Sequence, residues 1–130
     1  MAERVLIIDD EQAILQALTL RLRAAGFEVR TAAGGVEGIE IARAFRPDVI
    51  ALDLAMPDLN GWEVLKTLRS ESSLVRIPVV ILSAQVDEQV ERKALDLGVA
   101  FVLGQPFEQA HLSQTLRAAI CRCSDSVDCA

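Results

Sequence analysis

Buried-looking apolar runs in this chain end in residues that can do chemistry. Val5-Leu6-Ile7-Ile8 runs into Asp9-Asp10, Val49-Ile50-Ala51-Leu52 into Asp53, and Val79-Val80-Ile81-Leu82 into Ser83, while Gln105 follows shortly after Phe101-Val102-Leu103. Carboxylates are hard oxygen donors. Three of them within ~4 Å would repel by about 4 kcal/mol per pair at an effective dielectric near 20. Such a cluster needs a counter-charge, or some of its members must hold protons. A divalent cation is the simplest counter-charge, and Mg²⁺ is usually held by one or two carboxylates together with phosphate oxygens. The chemistry indicated is handling of an anionic phosphoryl group beside Mg²⁺, provided the fold gathers these distant residues.

The elements between them decide that. Arg4 to Ile8 is continuous and β-branched, as expected of a strand buried on both faces. From Glu11 to Ala25, Ile14, Leu15, Leu18 and Leu22 form one helical stripe, with Gly26 as the stop. Phe27 to Ala32 reads as a second strand, and Gly34-Gly35 turns the chain into a helix carrying Val36, Ile39 and Ala42 that ends before Pro47. Val49 to Leu52 is the third strand, Gly61 to Arg69 a helix, and Pro78 to Leu82 the fourth strand. Asp87 begins a helix closed by Gly98, Phe101 to Leu103 is a fifth strand, and Glu108 to Arg122 is the last helix. Alternating strands and helices mean βα repeats, a parallel sheet and right-handed crossovers with helices on both faces. Five units are too few for an eight-fold barrel. The expected class is α/β, an open doubly wound five-stranded parallel sheet, which binds ligands at the carboxyl ends of its strands. Asp9, Asp10, Asp53 and Ser83 would share that edge.

Composition sets the outer bounds. A chain of 130 residues, 52% hydrophobic, suits one domain with its own core and excludes disorder for its bulk. Thirteen Lys plus Arg against nineteen Asp plus Glu leave a net charge of −6, which argues against nucleic acid as a partner. No apolar run approaches the ~18 residues of a membrane span, and the start lacks the pattern of a secretory signal. Cys121, Cys123 and Cys129 all lie near the end, so a disulfide scaffold is not expected and a cytoplasmic location is.

Plainer readings compete at each position. An aspartate after a strand ordinarily caps a helix, a role open to Asp10. Gly34-Gly35-Val36-Glu37-Gly38 lacks the Lys-Ser/Thr ending of a phosphate loop and reads as a turn. Asp9-Asp10-Glu11 in the first βα turn would repel a pyrophosphate. A phosphohydrolase with an aspartate nucleophile wants a second acid two residues later, and position 55 is alanine. His111 reads as solvated or packing, and Cys121, Cys123 and Cys129 as weak evidence for zinc. Trp62 is expected to be half-buried near the cleft.

The segments Leu6-Ile7-Ile8-Asp9-Asp10, Leu52-Asp53-Leu54-Ala55-Met56-Pro57 with Asn60-Gly61, and Pro78-Val79-Val80-Ile81-Leu82-Ser83-Ala84 resemble the receiver domain of two-component response regulators, over roughly Arg4 to Arg122. The resemblance implies a flavodoxin-like (βα)5 fold of strand order 2-1-3-4-5, with a receiver domain over 1–122 and a flexible tail over 123–130. It implies Asp53 as the phosphoacceptor from a histidine kinase or phosphotransfer protein, and Mg²⁺ held by Asp9, Asp10, Asp53 and the Ala55 backbone carbonyl. Ser83 would bond a phosphoryl oxygen, helped by the Ala84 N–H. The protein would be no enzyme beyond phosphoryl transfer and hydrolysis on its own aspartate. It would be a monomer or weak homodimer that meets a downstream protein through its fourth helix, fifth strand and fifth helix.

Two positions depart from the family pattern. Gln105 stands where the family has lysine, and Val102 where it has an aromatic residue. A neutral amide in place of a charge-assisted contact costs on the order of 1–2 kcal/mol, and valine is too small for the family's aromatic swing. Phe101, one position away, would face the opposite side of the sheet and pack in the core. The second reading is therefore a degenerate receiver that serves as a phosphorylation-independent interaction module.

Overall fold

Side chains that alternate between two buried faces of each central strand require a helical layer on both sides of the sheet. The computed structural model, which describes residues 2–54, 61–83, 86–104 and 109–125, has that construction. In chain order it runs β1 (Arg4–Ile8), α1 (Gln12–Ala24), β2 (Glu28–Ala32), α2 (Gly35–Phe45), β3 (Val49–Asp53), α3 (Gly61–Ser70), β4 (Val79–Ser83), α4 (Glu88–Asp96), β5 (Phe101–Gly104) and α5 (Gln109–Asp125). The five strands form one sheet of order β2-β1-β3-β4-β5, with every pair parallel.

On one face Leu6, Ile8, Ile50, Leu52, Val79 and Ile81 pack with Ile39 and Ala42 of α2, Val64, Leu65 and Leu68 of α3, and Ala94 of α4. On the other face Val5, Ile7, Val49, Ala51, Val80 and Leu82 pack with Leu15, Leu18 and Leu22 of α1 and Leu112, Leu116 and Ala119 of α5. Residues that alternate along one strand thus belong to different cores. The same rule separates Phe101, packed on the α1–α5 side, from Val102, packed on the α2–α4 side.

Element ends follow local chemistry. Arg46 closes α2 in the left-handed region (φ 52°), directly before Pro47. β3 and β4 each run one residue beyond the expected apolar stretch and take in Asp53 and Ser83. α5 continues through Asp125, so the expected boundary between residues 122 and 123 falls within a helix. Residues 126–130 of the expected tail lie outside the described residues.

One close approach fixes the sheet against α2. A Cβ built on Gly38 would stand 2.6 Å from Cδ1 and 2.9 Å from Cγ1 of Ile8, a fully buried side chain. Glycine inside a helix costs about 1 kcal/mol relative to alanine, so the space is taken by the isoleucine at the expense of helix propensity. Ile8→Val should cost about 1 kcal/mol through the lost methyl group, and Gly38→Ala alone should gain little because the new methyl has no room. In the double variant the nearest atom, Cδ1, is gone and Cγ1 at 2.9 Å becomes the closest, so the clash is eased rather than abolished. Urea unfolding of the four proteins is expected to show the double variant more stable than additivity predicts by about 1 kcal/mol; an additive cycle would refute the packing account.

Candidate functional site

Each acid arrives at the carboxyl edge on the strand that precedes it. Asp53 ends β3 and is half-buried, Asp9 follows β1 directly and is buried, and Asp10 is exposed. Ile8 is paired with Leu52, so Asp9 and Asp53 stand level on neighbouring strands, roughly 4.8 Å apart in the pairing direction. The Asp9 N–H donates to the Ala32 carbonyl at 3.1 Å, which carries the β1–β2 ladder one step past the strand.

The side chain of Asp9 is divided between two tasks. Its Oδ1 accepts the Glu11 N–H at 3.0 Å. Its Oδ2 is buried and has no hydrogen-bond partner among the described residues. A buried, unpaired carboxylate oxygen is costly, and native structures rarely leave one without a ligand. The N-cap of α1 is Glu11 rather than Asp10, and the turn N–H goes to Asp9, so the cap reading of Asp10 does not hold. One oxygen from each of Asp9, Asp10 and Asp53 lies within 4.8 Å of the others, the one such grouping of His, Cys, Asp or Glu among the described residues.

Crowding shows in the ionisation of Asp9. Its pKa is raised from 3.8 to about 6, first by burial and then by the charges of Asp53, Asp10 and Glu11, against the opposing effect of the Glu11 N–H. Among the described residues, every charge that shifts it is negative. An all-oxygen donor set with an unused buried oxygen fits Mg²⁺, a hard cation.

Other positions fall around this group. Ser83 ends β4, half-buried; Asp53 is paired with Leu82, so Ser83 lies one residue farther along the neighbouring strand. Gly61 lies against the end of β3: its N–H donates to the Leu54 carbonyl at 2.7 Å. A Cβ there would stand 2.5 Å from the Asp53 oxygen and 2.4 Å from Leu54 Cα. That backbone cannot move aside cheaply, so the site depends on glycine at 61. The motif contained this residue, but its steric reason is visible only in three dimensions. The Glu11 N–H that orients Asp9 had no signature in sequence, because any residue but proline supplies one. Ala55, Ala84 and Gln105 lie outside the described residues, as do Met56, Pro57 and Asn60. His111 and Cys121 are exposed on α5, Cys129 lies outside the described residues, and neither His111 nor Cys121 joins a metal-holding group.

Comparison with known proteins settles the family. A model of the response regulator receiver domain matches residues 5–117. The chain belongs to that family. The receiver is 40% identical over 118 residues to the transcriptional regulatory protein KdpE of Mycobacterium tuberculosis, covering 91% of this chain and 51% of that protein. It is 37% identical over 119 residues to the cell cycle response regulator CtrA of Brucella ovis, covering 92% and 50%. It spans about half the length of these curated relatives. Among solved structures, Vibrio cholerae chemotaxis protein CheY4 aligns with a TM-score of 0.87 at 32% identity, covering 92% of this chain and 99% of that one. The receiver domain of the Pseudomonas aeruginosa sensor histidine kinase PA1611, solved with a magnesium ion coordinated in its active site cleft, aligns at 0.84 with 25% identity, covering 92% and 98%. The expected fold and strand order thus hold.

The ionisation of Asp9 sets a pH dependence in metal-free receiver. A carboxyl whose folded pKa lies above its unfolded value binds its proton more tightly when folded, so its cost appears as pH rises from about 4 through about 6 and is complete above. The whole shift corresponds to no more than about 3 kcal/mol. Asp9→Asn removes this charge while keeping an oxygen for the Glu11 N–H. Urea unfolding in chelator is expected to show the variant more stable than the parent at pH 7.5 by about 1–3 kcal/mol, with the difference gone at pH 4. Mg²⁺ should stabilise the parent far more than the variant.

Proposed function

We propose that this receiver takes a phosphoryl group onto Asp53 from a phosphohistidine of a histidine kinase or phosphotransfer protein, in a Mg²⁺-dependent reaction, and acts as a signalling switch. The observation that carries this reading is the buried, unpartnered Asp9 Oδ2 in a carboxylate cluster that includes Asp53. In the transfer, a carboxylate oxygen of Asp53 forms a bond to phosphorus, the phosphorus–nitrogen bond of the donor breaks, and the electron pair stays with the departing imidazole. Asp9, Asp10, Asp53 and the Ala55 carbonyl would hold Mg²⁺. When bound, the ion neutralises charge on the phosphoryl oxygens and brings them to the acceptor.

The chain's own residues do the positioning. The Glu11 N–H orients Asp9, and the β3 backbone behind Gly61 fixes Asp53. The Ser83 hydroxyl donates to a phosphoryl oxygen, and the Gln105 amide supplies a neutral donor where the family has a cation. The domain acts on no other substrate; its chemistry is transfer to, and hydrolysis from, its own aspartate. Its downstream partner is a protein met through α4, β5 and α5, rather than nucleic acid, in keeping with a net charge of −6. Among the described residues no helix is long and apolar enough to cross a membrane, and we place the domain in the cytoplasm.

Acetyl phosphate with Mg²⁺, followed by intact-mass spectrometry, tests the reading. One added phosphoryl group is expected on the parent, with none on Asp53→Asn or in excess chelator. Gln105→Lys should speed the modification about tenfold, the kinetic equivalent of exchanging a neutral donor for a charged one. Should only the lysine variant be modified, the phosphorylation-independent module replaces this proposal.

A further inference from the structure

The chain has one tryptophan, Trp62, which lies one residue beyond the glycine pressed against the Asp53 backbone. Its ring is half-buried against the core that also holds Val90 and Leu97, partly buried residues at either end of α4. Over that ring, at 4.5 Å from its centre, stands the ammonium of Lys93, which belongs to α4 and is otherwise exposed.

Helix α4 is lightly anchored in comparison with its neighbours. Ala94 is its one fully buried residue, whereas α3 buries Val64, Leu65 and Leu68. Its two ends are held differently. Just past the C-terminal end, the Leu97 carbonyl accepts from Arg69 Nε at 3.1 Å, and the same guanidinium bonds the Val75 and Ile77 carbonyls of the α3–β4 connection. At the N-terminal end Asp87 caps the helix from within, accepting the Val90 N–H at 2.9 Å. A helix pinned just past one end by a side chain of α3, with one small fully buried residue and with Val90 and Leu97 only partly buried, can tilt about the pin. The Lys93–Trp62 contact bridges α4 to α3 at the start of α3, on the residue adjoining the acceptor backbone.

We propose that the Lys93–Trp62 contact is the strap that carries the state of the Asp53 cleft to α4. A shift of the Asp53–Leu54 backbone moves Gly61, whose N–H bonds the Leu54 carbonyl at 2.7 Å, and with Gly61 the indole of Trp62. Lys93 follows the ring, and α4 tilts about the end held by Arg69. Such a contact at a partly exposed site is of modest strength, so it biases the position of α4 without locking it, as a switch element requires. This inference rests on the cleft being the phosphoryl site.

The test uses the whole receiver with Mg²⁺ and beryllofluoride as the phosphoryl mimic, followed by amide chemical shifts and by the indole N–H of the sole tryptophan. In the parent, the amides of Asp9 and Asp53, the indole of Trp62 and the amides of Gln89 to Ala94 should all shift. In Lys93→Gln the cleft amides should shift as before, while the α4 shifts fall by at least half; Lys93→Arg, which keeps a cation over the ring, should restore them. Equal α4 shifts in the parent and Lys93→Gln would overturn the strap and leave the cleft reading standing. Cleft amides that do not shift in the parent would overturn both.

Discussion

Negative charge at the end of a buried strand is the constraint on which the rest of this molecule turns. β1 brings four fully buried aliphatic residues to the sheet edge, and the next residue is a carboxylate that is itself buried. Burial penalises its charged form, and the neighbouring acids add to that penalty. One N–H from Glu11 offsets part of it. The remainder has no compensation among the described groups, and a cation would supply it. Stability is given up locally so that a site with high demand for positive charge persists, a pattern expected where function conflicts with folding.

The fold contributes rigidity and convergence. With both faces of the sheet covered by helices, side chains along the strands are committed to one core or the other, and chemistry is left to the strand ends. Parallel pairing then brings residues 9 and 53 together, although 44 positions separate them, because Ile8 and Leu52 are in register. Gly61 secures the far side of that arrangement by backbone contact alone. No rotamer change can relax such a contact, so under the strap proposed above a displacement of β3 would pass on to the start of α3.

How far all this can be read from sequence varies with the residue. The strands were legible because runs such as Val79-Val80-Ile81-Leu82 suit a parallel interior strand, and the helices because Leu15, Leu18 and Leu22 repeat at helical spacing. Strand ends then pointed to Asp53 and Ser83. The division of labour between Asp9 and Asp10 was not legible: two identical residues in succession differ by a rotation of the chain, and that rotation buries one and exposes the other. The reach of α5 was missed for a different reason. Past Ile120 the apolar stripe stops, and Cys121-Arg122-Cys123-Ser124-Asp125 gives no periodic signal. An existing helix nevertheless extends at little cost once nucleated, so the helix runs on past the end of the apolar pattern.

On the proposed function, Gln105, which lies outside the described residues, would bear on the charge balance at the edge. A lysine there would meet part of the cluster's demand permanently, whereas an amide meets none of it and offers only directed hydrogen bonds. With three carboxylates and no fixed cation among the groups acting on Asp9, the demand passes to whatever mobile cation the solution provides. An arriving phosphoryl group adds further negative charge to the same small volume. Attraction for metal and tolerance of phosphate are then governed by one quantity, the net charge of the edge, and move in opposite directions as it changes. Under the proposed function, a lysine at 105 would ease the phosphoryl group in while weakening the metal's hold, and a glutamine would leave the phosphorylated state to lean on the metal. On that proposal, glutamine at 105 would tie the chemistry of the site more closely to the availability of a divalent ion.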